Sequence, residues 1–211
     1  MKKIAPSKTE TALLPPFAGL TLAQIVVVQS EVECRAAAAE IVAAGEVGFD
    51  TEARPTFAPG AQSQGPHVLQ FALPHKAFIF QLQQLENPQP LLQLLQDEKL
   101  LKIGFELKSD RQQIQQRLGI PLLGALDLNS VFRQMGYGGS MGARSAVGVV
   151  LQQNFRKSKH VTTSNWSLPQ LSERQLLYAA NDAFAALKVY QALQLAGEER
   201  RGAHATQPRP S

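Results

Sequence analysis

Cysteine occurs once in the 211 residues, as Cys34. That excludes an internal disulfide and a multi-cysteine zinc site, and it fits a reducing interior. Cys34 is also a poor nucleophile, because Glu31, Glu33 and Glu40 surround it and would raise a thiol pKa. It is expected to fill space on an alanine-rich helix. No apolar run approaches the length of a membrane span. Met1-Lys2-Lys3 is followed by Pro6, Ser7, Lys8 and Glu10, without the apolar core of a secretory signal. A cytoplasmic location is the expectation. Acid is in short supply too: 17 Asp and Glu face 21 Lys and Arg, for a net charge of +4 and a pI near 9.3. This permits a polyanionic partner and does not demand one. What is abundant is apolar residue, 44% of a chain long enough for one well-buried core.

Pattern divides the chain into an N-terminal arm over 1–22, one domain over 23–196, and a charged, then proline-bearing tail over 197–211 expected to be disordered. The arm, with Pro6, Pro15 and Pro16, is expected to order only where 13–17 touch the body. Strands are predicted over 24–29, 46–52, 67–73 and 77–81, the last three as a meander, and then over 100–105 and 125–128. Helices are predicted from Ser30 to Gly45, from Pro90, and over 107–118, 129–135, 146–153 and 172–195. Ser30 with Glu33 and Ser172 with Gln175 form capping boxes, and Val32, Ala36, Ala39, Ile41 and Val42 supply the first long helix's apolar side. An early antiparallel meander followed by β-α-β units makes an α/β mixed sheet with helices on its faces.

In the strand over 46–52, alternation sends Asp50 and Glu52 to one face and Phe49 and Thr51 to the other. Two carboxylates there need a counter-charge, and a divalent cation is the simplest; an acidic, half-exposed strand face is the bland alternative. Asp110 falls near the start of a helix, where the dipole favours an acid without any function. Tyr178 and Asp182, four residues apart, share a helical face amid Ala179, Ala180, Ala183, Ala185 and Ala186.

These segments in this order, with Asn165-Trp166-Ser167, Leu171-Ser172, Arg54-Pro55 and Gln70-Phe71-Ala72, resemble the DEDDy group of 3′-5′ exonucleases, the group of the Werner-syndrome exonuclease domain and the ribonuclease D nuclease domain. The resemblance, over about 24–195, implies an RNase H-like (DnaQ-like) fold. It implies Asp50, Glu52, Asp110 and Asp182 as ligands of two divalent cations, Mg²⁺ or Mn²⁺, with Asp50 shared between them. Tyr178 would orient the attacking water, and none of His67, His75, His160 and His204 stands just ahead of Asp182 to replace it. The implied partner is nucleic acid with a free 3′ end, DNA ahead of RNA because no ribonuclease D-type helical domains or fused helicase are present. A metal-free binding module is the rival from another class. Among softer candidates, Thr51 adjoins the acids, Arg54 and Phe57 follow them, and Lys157 and Lys159 lie in the basic stretch 156–160, expected as a loop, which could touch phosphates. Trp166 could stack a base or dock a helix.

Overall fold

The computed structural model describes residues 3–56 and 64–205, and the side chains only as far as 194. Phe57, part of the loop over 59–66 and the end of the tail from 206 lie outside the described residues. The arm contains a helix, α1 (Lys8–Ala12), that the sequence reading left out. Its signal is the same as for the later helices: Ser7 and Glu10 form a capping box. Strand β1 (Ile25–Val28) leads into α2 (Glu31–Ala44), opened by Ser30 with Glu33 and ended at Gly45 with φ 72°. The buried stripe of α2 is Cys34, Ala37 and Ile41, whereas Val32 and Val42 are exposed, so the expected apolar side was turned too far around the helix. Cys34 is fully buried, as a space-filler would be.

Next come β2 (Glu46–Glu52), β3 (Val68–Ala72), β4 (Ala77–Gln81), α3 (Gln89–Gln96), β5 (Leu101–Gly104), α4 (Leu107–Leu118), β6 (Ala125–Asp127), α5 (Leu128–Gln134), α6 (Ala143–Val150), α7 (Lys159–Thr162) and α8 (Glu173–Ala205). Two corrections follow. Lys159 and His160, expected on a loop, belong to α7. Helix α8 continues ten residues past its expected end at 195, through Glu198, Glu199, Arg200 and Arg201, which are charged but compatible with a helix.

One sheet has the order β1-β4-β3-β2-β5-β6. The meander β2-β3-β4 is antiparallel, while β1 with β4, β2 with β5 and β5 with β6 are parallel. On one face, Phe49, Phe71 and Phe80 pack with Ile41, Leu91, Leu95 and Ile114 from α2, α3 and α4. The ring pairs stand 5.2 and 5.6 Å apart, each worth about 1 kcal/mol beyond area burial. The other face, Val68, Ala72, Ala77 and Ile79, is covered by Ala179, Ala180 and Ala183 of α8.

Helix α8 lies on β2 because both surfaces are small. A Cβ added at Gly48 would stand 1.9 Å from the carbonyl oxygen of Ala183, so only glycine permits the approach. Gln175 both closes the cap at Ser172 and donates to Ser164 Oγ and the Asn165 carbonyl, each at 3.1 Å, tying the preceding turn to the helix start.

The arm is docked along much of its length. Asn154 and the arm exchange backbone bonds at Pro15 and Phe17, 2.7 and 3.1 Å. Asn181 of α8 accepts from Leu20 N at 2.6 Å and donates to Leu20 O at 3.1 Å. Leu13, expected to touch the body, is exposed, and Thr11 is buried against α6 instead.

Candidate active site

Strand β2 delivers Asp50 and Glu52 to the face that α8 covers, and α8 delivers Asp182. Carboxylate oxygens of the three lie within 4.8 Å of one another. Asp110 reaches the same cleft from the first turn of α4, buried, with one oxygen accepting from the Thr51 hydroxyl. Alternation explains why Thr51, not its neighbours, meets α4: it points to the opposite face of the strand. The cleft holds about 330 Å³ and is also lined by Gln113, Lys157, Thr162 and Tyr178.

Like charge in little solvent sets the electrostatics. Burial, then Asp182 and Asp110, raises the Asp50 carboxyl well above its ordinary value. Burial, then Asp50 and Asp182, does the same to Glu52. Burial raises Asp110 and Asp182 as well, with Thr51 drawing Asp110 back and Lys157 drawing Asp182 back. Asp50 is partly open to the cleft, yet protein on its other sides withholds the water that would hold its charge.

Lys157 Nζ stands 2.8 Å from Asp182 Oδ2. This is a close ion pair without good hydrogen-bond alignment, and among the described residues neither buried oxygen of Asp182 has an aligned donor. Burial alone would lower the Lys157 ammonium, but Asp182 and Asp50 outweigh it and the net shift is upward. The ammonium also lies 5.5 Å from the Tyr178 ring centre. Tyr178 is pushed above the usual phenol range by burial and then by Asp182, and Thr162 Oγ1 donates to its hydroxyl at 2.9 Å.

The donor set is all oxygen, compact, partly orphaned and short of positive charge, which suits hard divalent cations such as Mg²⁺ or Mn²⁺. Asp50, Glu52 and Asp182 fit one such ion, and Asp110 stands ready beside them.

The structure therefore brings Asp50, Thr51, Glu52, Asp110, Lys157, Tyr178 and Asp182 to one cleft. Three softer candidates are not there. Trp166 is fully buried, donates to the Thr162 carbonyl at 3.3 Å and packs 6.0 Å from Tyr178, so its faces are occupied and no base can stack on it. Arg54 is exposed outside the cleft, its backbone N–H donating to His67 Nδ1 at 3.1 Å. Lys159 is exposed on α7 and does not line the cleft.

Two contributors escaped the sequence reading. Asp127, at the end of β6, accepts from the backbone N–H groups of Glu106 and Leu107 at 3.1 and 3.2 Å and caps α5 at Asn129, 2.9 Å. It fixes the start of α4, and so the position of Asp110. Its position ahead of a helical stretch was the available signal. Gln113, one turn beyond Asp110, lines the cleft with a buried Oε1 that has no donor among the described residues.

A mixed sheet with its acids where β2 passes under a C-terminal helix defines an RNase H-like nuclease domain. Residues 25–198 match the 3′-5′ exonuclease family, and the chain belongs to it. Among curated relatives, the bifunctional 3′-5′ exonuclease/ATP-dependent helicase WRN of Mus musculus is 30% identical over 149 residues, 70% of this chain and 11% of that protein. A 3′-5′ exonuclease of Arabidopsis thaliana is 27% identical over 149 residues, 70% of this chain and 52% of its own length. The chain thus spans about half or less of these two relatives. The fold is shared with Escherichia coli RNase D, at TM-score 0.71 and 19% identity over 83% of this chain and 45% of that one. The Aedes aegypti Nibbler EXO domain aligns at TM-score 0.72 and 22% identity over 89% of this chain and 92% of that one.

Proposed function

We propose that this chain is a metal-dependent 3′-5′ exonuclease that hydrolyses phosphodiester bonds from the 3′ end of nucleic acid. The observation that carries this reading is the convergence of Asp50, Glu52 and Asp182 within 4.8 Å, with family membership behind it. Asp50, Glu52 and Asp182 would hold one divalent cation, and Asp110 would hold a second with Asp50 shared between the two. Such cations supply a water of lowered pKa and charge stabilisation for the leaving 3′ oxygen.

The chain's own residues prepare the rest. Tyr178, kept protonated by its surroundings, orients water through its hydroxyl and is not a base. Thr162 holds that hydroxyl in place. Lys157 offsets the charge of Asp182 and faces the cleft where a phosphate would lie. Thr51 fixes the Asp110 carboxylate.

The test is a 5′-labelled single strand incubated with Mg²⁺ or Mn²⁺. A ladder shortened from the 3′ end, abolished by EDTA and by Asp50→Ala, supports the reading. Intact DNA and intact RNA under both metals overturn it. Matched DNA and RNA substrates read the sugar preference in the same assay.

A further inference from the structure

A second hollow, of about 610 Å³, lies between the arm and the start of α8. Tyr178 lines both spaces. Lys157 turns towards the acids, while its neighbours Arg156 and Ser158 line the hollow. We propose that this hollow binds a nucleotide of the substrate strand upstream of the bond being cut, which rests on the nuclease reading above.

The chemistry of the walls selects the occupant. Arg156, Arg174 and His160 line the hollow, and among the described residues no acidic side chain does. Both arginines are exposed and have no hydrogen bond or ion pair among the described residues, so their charge is available to a polyanion. Between them lie Phe17, Phe155 and Leu177. Phe17 is half-buried, set edge-to-face on Phe155 with centroids 5.2 Å apart and tilted against Phe184 at 6.0 Å, and it lends the hollow an apolar wall for a base. Cations around an aromatic floor suit phosphate and base together, and the volume suits one nucleotide, not a duplex. A strand with its scissile phosphate at the acids would pass Tyr178 to reach the hollow.

A labelled hexanucleotide single strand, titrated with Ca²⁺ in place of Mg²⁺ so that the acids carry a counter-ion, tests this by fluorescence anisotropy at several salt concentrations, with a dinucleoside monophosphate as competitor. The protein is compared with its Arg156→Ala/Arg174→Ala variant, whose two sites are exposed and leave the core intact. Hexanucleotide affinity is expected to fall about tenfold, and the log–log salt slope to flatten by about 1.4, two phosphate contacts at about 0.7 each. The dinucleotide carries a single phosphate, the one placed at the acids, and should compete equally with both proteins. Equal losses at both lengths, or an unchanged hexanucleotide affinity and slope, overturn the assignment. The readout needs no turnover. A protein that binds in this manner but cuts neither DNA nor RNA would overturn the nuclease reading and leave the hollow assigned.

Discussion

The ammonium of Lys157 lies 2.8 Å from Oδ2 of Asp182, whose side chain is only 3% exposed. The protein thus carries a positive charge of its own against the most deeply placed acid of the cluster. Removing it should be felt in protonation before it is felt in shape. Lys157→Met is expected to let Asp182 and Asp50 rise further and move the acid limb of the pH–activity profile up by about one unit. Activity lost at neutral pH should return in part at higher pH. A profile that drops without moving contradicts the assignment.

Asp50 should trade stability against activity. The folded state holds protons on the raised carboxyls more tightly than the unfolded chain does, so the cluster's cost to stability grows as pH rises from the ordinary carboxyl range to the raised values, is complete above them, and fades as pH falls. Asp50→Asn is expected to raise the metal-free Tm at pH 8 by about 3 °C, on the order of 1 kcal/mol for a chain of this size, with a smaller gain at pH 5. Cleavage should drop by about a thousandfold. Differential scanning fluorimetry with EDTA and a gel assay read the two.

Mn²⁺ should stabilise the unaltered protein, because a ligand that binds only the folded state raises its stability. The shift is expected to be larger at pH 8 than at pH 5, where protonated carboxyls compete with the ion, and to shrink in Asp50→Asn. Thermal scans with and without EDTA check it, and a shift indifferent to pH and to Asp50 would count against ions at this cluster.

Lys102 carries its charge deeper than Lys157 does. It is fully buried, and its ammonium donates to the carbonyls of Leu94, Asp97 and Leu100 at 2.8–2.9 Å, closing the end of α3. Burial lowers it to about 8. The folded state therefore sheds this proton before the unfolded chain does, and stability gains from Lys102 as pH rises from about 8 towards 10.5. Lys102→Met leaves three carbonyls without a donor and should cost about 2–4 kcal/mol in urea unfolding. The variant should lack the alkaline gain.

Gly48→Ala would drive a methyl into the Ala183 carbonyl. A cost of about 2–3 kcal/mol is expected. Activity should fall even under conditions where the variant is folded, because Asp182 moves with α8 while Asp50 stays with β2. Urea denaturation and a cleavage assay on the same preparation separate the two effects.

Local signals carried much of the fold into the sequence. The capping boxes at Ser30 and Ser172, Gly45 and Gly119 at helix ends, and the apolar runs bounded by turns mark elements that the structure places within a few residues. The order of the meander and the later β-α-β units was legible for the same reason. What was not legible depends on distant partners. Leu20 meets Asn181 across 161 positions, and nothing near either residue announces it. Lys102 reads as polar until three carbonyls surround it. Val32 and Val42 read as core, yet the sheet meets α2 along Cys34, Ala37 and Ile41. At the candidate site the acids were named from their order along the chain, while their mutual distances, the Lys157 pair and the support from Asp127 needed coordinates.

The clasp of Asn181 on Leu20 has a further consequence, because the next residue along the helix is Asp182. A chain emerging from synthesis carries Asp50, Glu52 and Asp110 long before α8 exists. Contacts of such sequence separation form late, after the entropy of closing a large loop has been overcome. The docking of α8 then completes the acid cluster and closes the clasp on Leu20 in a single event. An unfinished chain holds three of the four acids but no assembled cleft, so the proposed centre comes into being only with the last helix.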